Sequence, residues 1–210
     1  MCNTRKKEQT RIRVGQINLT RSQLATDEIH QYVILNQIDV LLVQEPHTHQ
    51  GRVAGFGPGV RIAQATKSVP LAAVVVYRDD WTVIKLGHIT TALLAATHVW
   101  TGRIGVNLAS LYCPKKRRQP KNQSRPLREL GTALRSTSAD GWIIGADSNS
   151  RSTWWYSGST DKRVTNFEEF ISRTGLQVIN KWQSHSTFQS TRGCSNIDVT
   201  LARGCANVIP

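Results

Sequence analysis

The sequence predicts one α/β domain built as a sandwich of mixed β-sheets. Three observations lead there. Short apolar runs of strand length recur through the whole chain. Some follow one another directly, while others are separated by a stretch with helical spacing, a mixture that argues against a doubly wound parallel sheet. Four of the runs end in a carboxylate or an amide: IRVGQIN at Asn18, DVLLVQEP with Glu45, DGWIIGADSN with Asp147 and Asn149, and SNIDVTL with Asp198. At 210 residues the chain holds enough apolar side chains for a single core, with no internal repeat, linker or second domain.

Residues 1–10 form a basic tail and 11–210 the domain. Residues 12–18 read as a strand, and 21–36 as a helix with Ala25, Ile29, Tyr32 and Val33 on one face. Residues 39–45 are a strand closed by Pro46, which has no N–H for a ladder. Gly51, Gly55, Gly57, Pro58 and Gly59 mark a loop; it lacks the GxxxxGK[ST] spacing, so turn chemistry suits it better than a phosphate cradle. Strand-like runs follow at 71–77, 81–86, 91–99 and 104–112. The basic segment KKRRQPKNQSRPLR leads into a helix near 126–137, strand 142–146 leads into GADSN, and a helix at 166–174 precedes strands at 176–180 and 196–201.

Twenty-seven Lys and Arg oppose fourteen Asp and Glu, a net charge of +13 that favours a polyanionic partner. The first residues are polar and basic without the apolar core of a secretory signal, and runs 71–77 and 91–100 are far too short to span a bilayer. Nucleic acid therefore gains over membrane. Cys2, Cys113, Cys194 and Cys205 show no C-x-x-C pairing, so neither a zinc cage nor a disulfide framework is indicated, which fits a reducing intracellular setting.

Ligands gather at strand ends in α/β sheets, because loops converge there on rigid supports. A lone Glu45 reads as a surface residue, but with Asn18 from a neighbouring strand it reads as a Mg²⁺ ligand set, since Mg²⁺ takes one or two carboxylates and leaves other positions to water and phosphate. Asp147 and Asn149 fit two uses: holding a water and a phosphate oxygen together, or making an Asx-turn. Asp198 lies between apolar residues, and a buried carboxylate needs a partner, most usefully a histidine. The Tyr112 phenol suits either a scissile phosphate or plain packing. Lys115, Lys116, Arg117, Arg118, Lys121, Arg125 and Arg128 carry no acid among them; starting just after Tyr112, they favour phosphate contact over a merely solvated loop. Trp154, Trp155 and Tyr156 suit a DNA wedge or packing under a loop, and Arg5, Lys6 and Lys7 add non-specific attraction. Target choice would lie in the 51–59 loop and residues 150–163.

The order Asn18, Glu45, Tyr112, Asp147-x-Asn149, Thr187-Phe188 and Asn196-x-Asp198 resembles the exonuclease–endonuclease–phosphatase superfamily over residues 11–205. GADSNSRSTWW, LYCP and TFQSTRGCSNIDVTLA are most similar to the endonuclease domains of insect non-LTR retrotransposons that insert at ribosomal DNA or telomeric repeats. The resemblance implies a four-layer sandwich, two mixed β-sheets flanked by helices, as in apurinic endonucleases and deoxyribonuclease I. It implies Mg²⁺ or Mn²⁺ on Asn18 and Glu45, phosphate contact by Tyr112, alignment of nucleophile and scissile group by Asp147 and Asn149, and a histidine positioned by Asp198. Thr187 and Asn196 join Lys115, Lys116, Arg117, Arg118 and Lys121 as DNA contacts. The implied reaction nicks double-stranded DNA in the nucleus, leaving a 5′-phosphate and a 3′-hydroxyl. That hydroxyl would prime reverse transcription by a polymerase domain of the same polyprotein, a domain that is not in this sequence.

That family closes on a Ser-Asp-His element, and the sequence to Pro210 has no such triplet. Of the six histidines, His47 and His49 follow Glu45 and suit a loop or DNA-facing role, and His185 is a weak substitute just before Thr187. The expectation is a domain lacking its final element, by truncation or degeneration, that nicks DNA poorly. Two alternatives stay open: a non-catalytic DNA-binding remnant, and a host apurinic-site repair endonuclease.

Overall fold

Helix, sheet, sheet, helix is the order of layers in the computed structural model, which describes residues 11–115, 124–137, 141–162, 164–182, 186–190 and 193–205. The basic tail, Lys116, Arg117, Arg118, Lys121 and His185 lie outside the described residues.

The first sheet has the order β1-β2-β6-β5, from β1 (Val14–Asn18), β2 (Val40–Gln44), β5 (Arg61–Gln64) and β6 (Ala72–Val76). β1 and β2 run parallel, linked by α1 (Gln23–Leu35), and the other pairs are antiparallel. The second sheet has the order β11-β14-β10-β9-β8-β7, from β7 (Thr82–Lys85), β8 (Leu94–Trp100), β9 (Gly105–Tyr112), β10 (Gly141–Asp147), β11 (Gln177–Val178) and β14 (Asp198–Arg203). Among the described residues of this sheet only β9 and β10 pair in parallel, joined by the crossover helix α2 (Ser124–Ser136); α3 (Thr165–Thr174) ends at Gly175, whose φ of 67° glycine adopts without strain. Both sheets are mixed, as the sequence predicts. The hairpins β3–β4 (Thr48–His49, Arg52–Val53) and β12–β13 (Phe188–Ser190, Gly193–Ser195) extend from loops.

Period-two alternation divides the core. Leu42 and Val74 face Val99 and Leu108 between the sheets, while Leu41, Val43, Ala73 and Val75 face Val33 of α1. On the far side, Leu130 and Leu134 of α2 and Phe167, Phe170 and Ile171 of α3 cover Leu94, Leu111, Ile144 and Leu201. β2 is buried on both faces, which is why VLLVQ reads as an unbroken apolar run.

Three sequence expectations shift. Tyr32 is exposed, since α1 turns Thr26 and Val33 inward, and Tyr32 lies a helical step of about 100° round from Val33. Strand β5 is absent from the sequence prediction because its polar ends mask its alternation: Gln64 accepts from the Val53 N–H at 2.7 Å and Arg61 donates to the Trp81 carbonyl at 2.6 Å. Both hairpins escape for the same reason, being short and polar.

A buried amide ties the sheets together. Gln44 is fully buried, and its Nε2 donates to Ser110 Oγ at 2.8 Å and to the Gly145 carbonyl at 3.0 Å. Ser110 Oγ in turn donates to the Val43 carbonyl at 2.6 Å. At Gly145 the sheets approach closely: a Cβ there would stand 2.8 Å from Gln16 Oε1 and 3.0 Å from Leu42 Cδ1. Replacing Gln44 with alanine leaves a cavity and buried groups without their donor. The expected loss is about 2–4 kcal/mol of unfolding free energy, read by urea denaturation.

Candidate active site at the strand ends

Strand register brings the site together. Asp147 lies opposite Tyr112 on β9 and opposite Asp198 on β14, so three site residues form a row across the second sheet. On the first sheet Asn18 lies opposite Gln44, which places it beside Glu45. Asn18 Nδ2 crosses between the sheets, donating to Asp147 Oδ2 at 2.7 Å and to Glu45 Oε2 at 3.3 Å. Asn18 Oδ1 accepts from the Thr20 N–H at 2.8 Å, which fixes the amide. Asn149 folds back on the same carboxylate: its N–H donates to Asp147 Oδ1 at 2.9 Å and its Nδ2 to Oδ2 at 3.0 Å. The Asn149 Nδ2 also reaches the Cys113 carbonyl at 3.0 Å. Asp147 and Asn149 thus form the Asx-turn, and the same carboxylate meets Asn18 from the other sheet.

The backbone at the site is strained. Glu45 has φ 44° and Asn149 φ 47°, both left-handed, as are Thr20 and Arg21. Such a conformation costs a non-glycine residue roughly 1–2 kcal/mol, least for Asn, and persists only where surrounding contacts impose it. Around Glu45 those contacts include its N–H to the Leu71 carbonyl at 2.9 Å, the Arg21 N–H to the Glu45 carbonyl at 2.7 Å, and Arg21 Nη2 to the Glu45 carboxylate at 3.3 Å.

Burial dominates the electrostatics. Asp147 is 1% exposed, and desolvation raises its carboxyl above the usual range, opposed by the bonds from Asn18 and Asn149 and by the charge of Lys115; the charge on Glu45 adds to the rise. Tyr112 is raised by burial and by Glu45, whose carboxylate accepts its hydroxyl, so the phenol keeps its proton. Asp198 is pushed up to about 7 by burial and by Asp147, with the Thr187 hydroxyl opposing. Its Oδ1 is buried and has no hydrogen-bond partner among the described residues.

Two carboxylates facing one another across an amide suit a hard divalent cation with several water ligands. Glu45 offers carboxylate oxygens to such an ion, whereas Asn18 presents Nδ2 with its oxygen held by the Thr20 N–H, so it would serve as a ligand only after its amide turned over. Among the described residues no group of three or more His, Cys, Asp or Glu is placed to hold a metal ion.

Thr187 and Asn196 hold the neighbouring loop. Thr187 Oγ1 accepts from the N–H groups of Ile197 and Asp198, both at 3.1 Å. Asn196 is buried, donating to the Tyr156 carbonyl at 3.0 Å and accepting from the Thr187 N–H at 3.1 Å. Lys115 stands with Nζ 4.4 Å from the centroid of the Phe188 ring. Of the three clustered aromatics, Trp155 is fully buried, while Trp154 and Tyr156 are exposed. His47 and His49 belong to the stem of the β3–β4 hairpin, where the His47 carbonyl accepts from the Ala54 N–H at 3.1 Å. Sequence reasoning passes over Arg21, Gln44 and Ser110. Only Gln44 carries a signal, an amide inside an otherwise apolar run.

The family described as "Endonuclease-reverse transcriptase" matches residues 106–208. Among solved structures, the chain is similar to the endonuclease domain of TRAS1, a telomere-specific non-LTR retrotransposon. The two are 28% identical with a TM-score of 0.75, covering 91% of this chain and 84% of that one. An apurinic (AP) endonuclease from Archaeoglobus fulgidus shares the fold at 12% identity and a TM-score of 0.65, over 91% of this chain and 86% of its own. The AP endonuclease LMAP from Leishmania major does so at 10% identity and a TM-score of 0.64, over 91% and 78%. No curated protein matches the sequence.

The raised Asp198 carboxyl has a consequence for stability. Its folded value, about 7, lies above its unfolded one, so between those values the folded state binds more protons. Stability therefore falls as pH rises through that window and levels off above it. In EDTA, Asp198→Asn should exceed the parent protein in thermal midpoint at pH 8, and the advantage should vanish below pH 4.

Proposed function

We propose that the chain is a retrotransposon-type endonuclease domain of the exonuclease–endonuclease–phosphatase superfamily and that it nicks double-stranded DNA in a divalent-metal-dependent reaction, a reading supported by its likeness to the TRAS1 domain and by the family match. One observation carries the reading: Asn18 joins Glu45 and Asp147 across the two sheets, beside a phenol and a second amide.

Glu45 and Asn18 would hold Mg²⁺ or Mn²⁺, which when bound supplies positive charge at the scissile phosphate. Asp147 accepts hydrogen bonds from an attacking water and fixes its direction, and the Asn149 amide donates to a phosphate oxygen as charge develops there. Tyr112, protonated at all ordinary pH, would turn its hydroxyl from the Glu45 carboxylate to the same group. Water attacks phosphorus in line and passes its proton to the Asp147 carboxylate, the bond from phosphorus to the 3′ oxygen breaks, and that oxygen takes a proton from solvent and leaves as a hydroxyl. The products are a 5′-phosphate and a 3′-hydroxyl able to prime reverse transcription by a partner polymerase domain of the same polyprotein. The DNA target implies a nuclear site of action. Lys115 and the basic residues after it would contact flanking phosphates.

A second reading rests on Asp198. Its Oδ1 is buried with no hydrogen-bond partner among the described residues, so no described side chain is placed to exchange a proton there, and a non-catalytic DNA-binding domain is the alternative. Incubation with supercoiled plasmid separates the two. The expected result is slow nicking that needs Mg²⁺, stops in EDTA, and falls about a hundredfold or more in Glu45→Ala while DNA binding persists. Binding with no nicks at any Mg²⁺ concentration would leave the remnant; preference for abasic over intact duplex would point to a repair nuclease. Lys115→Ala should lower the slope of log affinity against log salt by about one.

A further inference from the structure

Between β1 and α1 the chain passes through two consecutive left-handed residues, Thr20 at φ 48° and Arg21 at φ 61°. Neither is glycine, so the turn persists only because its surroundings impose it. The imposing bonds are at hand. The Thr20 N–H donates to Asn18 Oδ1 at 2.8 Å, the Arg21 N–H to the Glu45 carbonyl at 2.7 Å, and the Ser22 N–H to the Leu19 carbonyl at 2.9 Å. Ser22 then caps α1, its hydroxyl accepting from the Ala25 N–H at 3.2 Å. The strained turn brings the Arg21 side chain back over the site, with Nη2 3.3 Å from Glu45 Oε1.

Three donors share the Glu45 carboxylate, and they differ in freedom. Asn18 Nδ2 lies 3.3 Å from Oε2, and its amide is tied at once to Asp147 and to Thr20. The Tyr112 hydroxyl belongs to a buried residue at the end of β9. Arg21 is different, with 63% of its side chain exposed against 19% for Glu45. A long, solvated cation can leave a carboxylate at little cost in packing, whereas a tied amide and a packed phenol cannot. The charge on Arg21 nevertheless reaches into the site, where it opposes the effect of Glu45 on Tyr112. A divalent cation on Glu45 would share one carboxylate with the guanidinium, and two positive charges so close together repel. One must give way, and Arg21 is the one that can swing out.

We propose that Arg21 is the resident counter-ion of Glu45: it holds the carboxylate in position until a divalent cation displaces it, and so competes with metal binding. The inference rests on the proposed role of Glu45 as a metal ligand and names a positioning residue for it. Exchanging one cation for another keeps Glu45 compensated throughout, which matters because its charge acts on the buried Asp147. Arg21 takes no part in making or breaking bonds.

Mn²⁺ alone, titrated against the 210-residue chain without DNA and followed by electron paramagnetic resonance, tests this without any cleavage. Arg21→Gln should bind Mn²⁺ about tenfold more tightly than the parent protein, a modest factor because the pair is largely solvated. Arg21→Lys, which keeps the charge, should stay within about threefold of the parent. Added salt should narrow the gap between the parent and Arg21→Gln. Glu45→Gln should weaken binding, and adding Arg21→Gln to it should then bring no gain. Affinity unchanged or lowered in Arg21→Gln, or raised equally in Arg21→Lys, overturns the counter-ion alone, provided Glu45→Gln still weakens binding. Mn²⁺ affinity that Glu45→Gln leaves unchanged overturns the metal reading of the site with it.

Discussion

Two amides at one end of the sandwich, Gln44 buried and Asn18 half-buried, set the geometry on which everything else depends. Gln44 fastens the first sheet to Ser110 and Gly145 of the second, and Asn18, one layer further out, bridges Glu45 to Asp147. Apolar packing between two sheets is non-directional and tolerates sliding, whereas a buried amide left without its partners costs free energy at every wrong offset. Glu45 is one residue past Gln44, and Tyr112 and Asp147 are each two residues past a group that touches its clamp. The inner amide therefore fixes where the outer side chains arrive.

That arrangement explains how two acids come to face one another inside a folded protein. Burial raises the energy of ionising Asp147, and the charge on Glu45 adds to that cost. The chain meets this with donors: Asn18 and Asn149 on Asp147, Arg21 and Tyr112 on Glu45. It also meets it with strain, since the left-handed backbone at Glu45 and Asn149 turns each chain sharply as it leaves its strand. Asp198 has the least such support, with one hydroxyl donor and one unsatisfied oxygen among the described residues, and its carboxyl is accordingly displaced to about 7.

Much of this was legible from sequence because the site lies where the strands end. A run such as VLLVQ or GWIIGAD announces a buried strand, and the first polar residues after it must emerge at the sheet edge, so Glu45, Asp147 and Asn149 could be placed without coordinates. Convergence was less visible. Nothing local in IRVGQIN says that Asn18 faces Asp147 rather than a strand neighbour, because their pairing depends on how two sheets stack. Tyr32 illustrates the opposite limit: helical spacing alone admits it to the apolar face, and packing of Thr26 beneath Gly55 decides against it. Arg21 gave no signal, since an exposed Arg in a loop looks the same whether or not it has a role.

The same division separates what can change from what cannot. The reactive side chains ride on strands whose register is specified many times over, by paired backbones, by alternating burial and by the two amides. The surrounding loops are attached more sparingly: the 150–161 turn by Trp155, by the Ser152–Glu168 contact and by Arg151 to Asp161, and the β12–β13 hairpin by Thr187 and Asn196. Residues between those anchors are free to vary without moving Asp147 or Glu45. A chain built this way can exchange its target by altering exposed loop side chains while its chemistry stays still, because the energy holding the acids together is spent one layer deeper, at Gln44.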